Sequence, residues 1–278
     1  MEPRQHKSAA NADAVRDRLV AALGLSLDRA PVPAKSTAEL HRLGVLGCTG
    51  QAPRVAMRLG GHGHAGVPFT LDKTEWLPSI RPLARDAGRR VVITRPHGFR
   101  LSGRILVLSR HYAKTLSRVL ARSELRPVRL GKRELDRRYT IHAADHVAAH
   151  LVFPPDFVER LLAFQLRFVR REPSVLFDAD GMHVVLRVSD SLRLDDMPRF
   201  ATTAQARRVI SGDLRRVLQL FAEVDILHAK ADRHTTAETE RLRRAHFGDR
   251  IDRLAALCAH PQGETGAACT TPTLIRPL

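Results

Sequence analysis

Residues 138–171 read RYTIHAADHVAAHLVFPPDFVERLLAFQLRFVRR, and the fold class turns on how this stretch breaks. Tyr139–Ile141 alternate as a short strand, and three histidines, His142, His146 and His150, follow four residues apart. Pro154-Pro155 ends whatever precedes it, because each proline disfavours a helical residue before it. Proline is tolerated at the first helical position, and Asp156 and Glu159 then suit a positive helix end. Phe157, Val158, Leu161, Leu162, Gln165, Phe168 and Val169 lie on one face, apolar apart from Gln165, which predicts an amphipathic helix over 156–171. Arg160, Arg167, Arg170 and Arg171 occupy its other side, and Glu172-Pro173 ends it.

Strand and helix signals continue outward on both sides. Downstream, Ser174–Asp178 and Met182–Val188 alternate around Ala179-Asp180-Gly181, a β-hairpin in which Asp178 and Asp180 read as turn residues. A long helix is expected over 202–227, with Ala206, Val209, Ile210, Leu214, Val217, Leu218 and Phe221 inward and Arg207, Arg208, Arg215 and Arg216 outward. Another helix covers 237–259, and residues 260–278 have the Gly, Pro and Thr content of a disordered tail. Upstream, a helix is read over 14–23, a Pro-containing linker over 29–35, and a brief turn over 36–40 with Ser36 and Glu39 as a capping box. Strands are read at 54–59, 67–71, 90–94, 105–108, 128–130 and 139–141, and a helix at 112–123 with Leu116, Val119 and Leu120 inward. Pro96-His97-Gly98 is a turn, and the charged stretch GKRELDRR separates the last two strands. These elements predict an α+β fold, a mixed or antiparallel sheet of short strands and hairpins packed against amphipathic helices. The predicted organisation is an N-terminal helical segment and linker over 1–50, an α+β core domain over 51–228, a C-terminal helix over 229–259, and the tail.

The chain of 278 residues is 44% apolar, enough for a core, but only 5% aromatic. Its net charge is +17, and 40 of its 46 basic residues are arginine (46 less Lys7, Lys35, Lys73, Lys114, Lys132 and Lys230). Such an excess favours anionic partners, although arginine spread along the whole chain also fits ordinary solvated helix faces. Cys48, Cys258 and Cys269 are an odd number at no metal-like spacing, as expected of a reducing compartment. No apolar signal core and no run of about 18 apolar residues is present, so a cytoplasmic chain without a transmembrane segment is expected.

Most common chemistries find no support. Gly61, Gly63 and Gly66 form a GxGxxG match, but a proline-bearing strand follows where a pyrophosphate needs a helix N-terminus, so a hairpin loop is expected and no cofactor. His142, His146 and His150 suggest a metal site only in part, because on a helix the outer two lie about 12 Å apart along the axis. If the segment begins as a strand, His142 leaves their common stripe. No nucleophile elbow, phosphate loop, kinase signature, HExxH or CxxC pattern occurs.

In order along the chain, the motifs resemble a bacterial family of unknown function whose genes often neighbour genes for LemA-type membrane proteins. The resemblance is carried by Leu43-Gly-Val-Leu, Gly63-His-Ala-Gly-Val-Pro-Phe-Thr-Leu and Gly103-Arg-Ile-Leu-Val-Leu. It continues in Tyr139-Thr-Ile-His, Asp145 through Leu162, Ser174-Val-Leu-Phe-Asp and Met182-His-Val-Val-Leu. It spans about residues 13–227 and implies an α+β fold with no named catalytic residue. This chain departs from the family in showing no N-terminal pair of membrane helices. It also carries Pro154 where the family has a capping threonine, a hydroxyl worth about 1 kcal/mol.

The leading expectation is a non-enzymatic interaction domain that binds an acidic protein or a lipid surface through Arg160, Arg167, Arg170, Arg171, Arg207, Arg208, Arg215 and Arg216. The second is a nucleic-acid-binding protein, and the third a metal-dependent hydrolase using His142, His146 and His150.

Overall fold

A computed structural model describes residues 3–29, 31–46, 54–75, 90–97, 101–166, 169, 172–187, 194, 203–231 and 237–259. The N-terminal part forms α1 (Pro3–Ala22), β1 (Ser26–Asp28) and α2 (Lys35–Arg42), then β2 (Arg54–His62) and β3 (Pro68–Glu75) joined through a 3-10 turn at His64–Gly66. Next come β4 (Arg90–Arg95), β5 (Ile105–Ser109), α3 (Arg110–Ala121), β6 (Arg126–Val128), α4 (Arg133–Arg138), β7 (Tyr139–Ala143), α5 (His146–Val152) and α6 (Pro155–Leu162). The chain continues with β8 (Ser174–Phe177), β9 (Met182–Arg187), α7 (Thr203–Ala231) and α8 (Ala237–Ala259).

The nine strands make one sheet in the order β1-β2-β3-β4-β9-β8-β5-β7-β6, antiparallel at every pairing. The protein is therefore α+β, and its sheet is wholly antiparallel. Side chains alternate between faces with period two. Met57, Leu59, Leu71, Val91, Ile93, Val107, Val175 and Val184 join the core that α1, α6, α7 and α8 cover. Val92, Leu106, Leu108, Leu176 and Val185 face the other way and pack with α2 and α3. Ile105–Leu108 is thus buried on both faces, which explains its unbroken apolar run. α1 packs along α7, α8 packs along α7, and β1 closes one sheet edge.

Several local expectations change. The strands before and after Pro96 are not neighbours in the sheet: β4 lies against β3 and β9, β5 against β7 and β8, and the hairpin β8–β9 sits between them. The helix expected over 156–171 ends at Leu162, and Phe164 and Leu166 reach the core from irregular backbone. Burial satisfies that apolar pattern without helix, since short helices depend on packing more than on propensity. α1 begins at Pro3 rather than at 14, and α4 appears inside GKRELDRR around Leu135, its one buried residue. Ser36 does not cap α2; Ala34 is the N-cap with no side-chain bond, Ser36 and Thr37 are buried within the helix, and Glu39 bonds Arg42 instead. The tail expected over 260–278 lies outside the described residues.

Candidate anion-binding surface

α3 starts at Ser109, whose Oγ accepts the Tyr112 amide N–H at 3.4 Å, and it buries Ala113, Leu116 and Leu120 against the sheet. Its outer side carries Arg110, Lys114, Arg118 and, at the C-cap, Arg122, all exposed. These four recur at one-turn spacing, so consecutive members are neighbours on the helix surface. No acid occurs between Arg110 and Ser123. Among the described residues, no carboxylate lies within ion-pair distance of any of the four. Arg110 also stands in the first turn, where the helix dipole disfavours a cation. Exposed Arg126 and Arg129 extend the surface past β6, at the sheet edge.

Two cavities flank α3. One, of about 420 Å³, is walled by Arg42, Leu43, Arg118, Val119, Arg122 and Ser123. The other, of about 370 Å³, opens over the β6–β7 edge, with Arg110, Lys114 and Arg126 among its lining residues and Ser117, Thr140 and His142 beside them. His142 points to this side because it belongs to β7, in register with Leu106 and Pro127. Neither of its ring nitrogens has a hydrogen-bond partner among the described residues, and burial holds its pKa below the usual histidine value.

The expected site residues scatter. His142 is on a strand, whereas His146 opens α5 and His150 lies in its last turn, both exposed. Asp145 caps that helix, its Oδ1 accepting from the Val147 and Ala148 amides. Among the described residues no group of three or more His, Cys, Asp or Glu side chains is placed to hold a metal ion. Arg160 is only partly exposed and pairs with Glu223 of α7. Arg216 bonds Asp213 at 3.1 Å, Arg207 is half-buried, and Arg208 and Arg215 are exposed. Arg167, Arg170 and Arg171 lie outside the described residues.

Under the opposite face lies a buried ionic cluster that the sequence reading missed. Arg95 of β4 and Asp225 of α7, each 1% exposed, form an ion pair, and Arg243 of α8 reaches the same Asp225 Oδ1 at 2.7 Å. Gly63 makes room for the pair: a Cβ there would strike the Arg95 guanidinium and lie 3.2 Å from Asp225 Oδ1. The nearby His228 is pushed down to about 3 by burial and then by Arg95, Arg243 and His97. In the β8–β9 turn, Asp178 accepts from the Asp180 and Gly181 amides and contacts His183 Nε2 at 2.9 Å. Burial alone would raise the Asp178 pKa, but these bonds outweigh it and hold it below the usual carboxylate range. One sequence signal for the cluster existed: Asp225 and His228 interrupt the apolar face that includes Phe221 and Val224.

Compared with known proteins, the chain matches no family model, and no curated protein is significantly similar to it. No helix among the described residues is long and apolar enough to cross a membrane.

Proposed function

We propose that the chain is a non-enzymatic nucleic-acid-binding domain that grips the phosphate backbone through α3 and the adjoining β6 edge. The carrying observation is the run Arg110, Lys114, Arg118, Arg122, with like charges one turn apart and no carboxylate answering them among the described residues. Each like-charge pair at this spacing costs a helix about 0.2–0.5 kcal/mol, so three cost on the order of 1 kcal/mol. A polyanion offsets that cost by neutralising successive cations and releasing its own counterions.

An acidic protein or a lipid surface fits less well. Protein interfaces draw their affinity from a few buried aromatic or apolar anchors. The exposed large apolar residues among those described, Val32, Val147, Leu242 and Leu257, all lie off α3. Phosphate contacts need no such anchor. With 5% aromatic residues there are few rings for bases to stack on, so binding with little sequence preference is expected. The resemblance to the LemA-neighbouring family, which rests on the order of the sequence motifs, supplies no functional residue.

The test is fluorescence anisotropy with labelled single- and double-stranded oligonucleotides from about 50 to 300 mM salt. Replacing Arg110, Lys114, Arg118 and Arg122 together by Gln should flatten the plot of log affinity against log salt by about 3–4 units, at about 0.9 per lost phosphate contact. The matching quadruple Gln variant of Arg207, Arg208, Arg215 and Arg216 should bind as the parent does. A parent protein that binds no oligonucleotide at the lowest salt ends the proposal and returns the acidic-protein reading to first place. Loss of binding in the α7 variant alone moves the site to α7.

A further inference from the structure

We infer that the cavity beside the C-terminal half of α3 seats a phosphate monoester, the charged end of a nucleic-acid strand. This rests on the nucleic-acid reading and adds to it a preference for phosphorylated termini. The wall of the cavity brings together three guanidinium side chains from two elements: Arg42 in the last turn of α2, Arg118 on α3 and Arg122 at its C-cap. Among the described residues no carboxylate lines it.

Arg42 is held in place. Its Nε and Nη2 donate to the two Glu39 carboxylate oxygens at 2.9 and 2.7 Å, and Glu39 also takes Arg104. That bidentate bond occupies one edge of the guanidinium fork and leaves Nη1 to donate elsewhere. Arg118 and Arg122 are one turn apart, and no carboxylate among the described residues pairs with either.

Charge and valence then select the ligand. A phosphate monoester carries about −1.5 to −2 at neutral pH and presents three terminal acceptor oxygens. An internal phosphodiester has a single negative charge and two such oxygens. The unpaired forks of Arg118 and Arg122, with the remaining donor of Arg42 beside them, match the monoester, because a guanidinium binds oxyanions through paired parallel N–H donors. The helix gives no help here, since its C-terminal end carries negative partial charge. Leu43 and Val119 form an apolar wall for the terminal sugar, and about 420 Å³ is ample for one nucleotide. The strand would then run up the helix toward Lys114 and Arg110, about 6 and 12 Å from Arg118 along the axis.

The experiment uses the full chain and four otherwise identical labelled oligonucleotides, bearing phosphate or hydroxyl at the 5′ end or at the 3′ end, with anisotropy as the readout. A phosphate at one end should tighten binding about tenfold, the gain of one charge-assisted hydrogen bond. That gain should vanish in R118Q/R122Q, whereas R110Q/K114Q should weaken phosphorylated and hydroxyl strands by the same factor; circular dichroism checks that both variants are folded. Equal affinity for all four oligonucleotides overturns the terminal seat and leaves the backbone reading standing, while no binding to any of them overturns both. A phosphoserine peptide bound as tightly as the phosphorylated strand also overturns it, because the seat then serves a phosphoprotein.

Discussion

On α8, Arg241 reaches Glu238 three residues back at 2.8 Å, and Arg244 reaches Glu240 four residues back at 2.8 Å. On α3, Arg110, Lys114, Arg118 and Arg122 follow one another at a similar spacing, and the first acid, Glu124, comes only after the helix has ended. The two helices cover opposite faces of one sheet. Around α8 the cations tie elements together: Arg243 to Asp225, Lys230 to Asp156 and Glu240, and Arg160 to Glu223. Around α3 they point outward and repel one another. A net charge of +17 therefore says little by itself; what separates structural from available charge is whether a carboxylate lies within reach.

The contrast breaks first, and with the largest effect, at Asp225. Asp225→Asn leaves Arg95 and Arg243 buried without their counter-charge, and loss of one partner in a buried pair costs about 3–5 kcal/mol. Urea denaturation should show that loss, and a loss below about 1 kcal/mol would mean that solvent already compensates the cluster.

Acid acts on the same layer. His228 has a folded pKa of about 3 against 6.5 for the free side chain. Between those values the unfolded chain binds a proton that the folded chain refuses. Stability is therefore full above about pH 6.5 and falls as pH drops toward 3, by about 1 kcal/mol per pH unit. Urea midpoints between pH 7 and 4 should decline less steeply for H228Q than for the parent; parallel declines would show that another group titrates.

The smallest effects sharpen the comparison. The four Gln substitutions on α3 should change stability by no more than about 1 kcal/mol, because the repulsions they remove are partly offset by the lost attraction of Arg118 and Arg122 to the helix C-terminus. R241Q/R244Q on α8 should lower it by less than about 1 kcal/mol, the usual worth of exposed ion pairs. A thermal melt measures both, and a larger destabilisation of the α3 variant would mean that its cations have partners after all.

Much of the secondary structure was legible because it obeys local rules. The β8–β9 hairpin announces itself by alternation around Ala179-Asp180-Gly181, and α8 begins and ends where its sequence pattern predicts. α4 was hidden because six residues with one buried Leu leave no periodic signal. α6 was overextended because Gln165, Phe168 and Val169 continue the helical spacing of Phe157, Val158, Leu161 and Leu162, whereas the helix ends at Leu162 and Phe164 and Leu166 reach the core from irregular backbone. The spacing of Arg110, Lys114, Arg118 and Arg122 stood in plain view. The arginines of α6 and α7 stand opposite equally clear apolar faces, so arginine placement along the chain does not separate them from α3. The answering acids explain why: Asp213 is three residues from Arg216 in the chain, but Glu223 meets Arg160 only through the packing of α6 on α7.

The sequence by itself determined the α+β class, most of the helices and hairpins, and the excess of positive charge, because periodicity, turn chemistry and composition are local properties. Tertiary structure alone decided that β8–β9 inserts between β4 and β5, and that Arg95, Asp225 and Arg243 share one buried site. It also decided that Arg42 of α2 stands beside Arg118 and Arg122 of α3. Strand order and ion pairing depend on which distant segments bury one another, and the spacing of residues along the chain does not encode that.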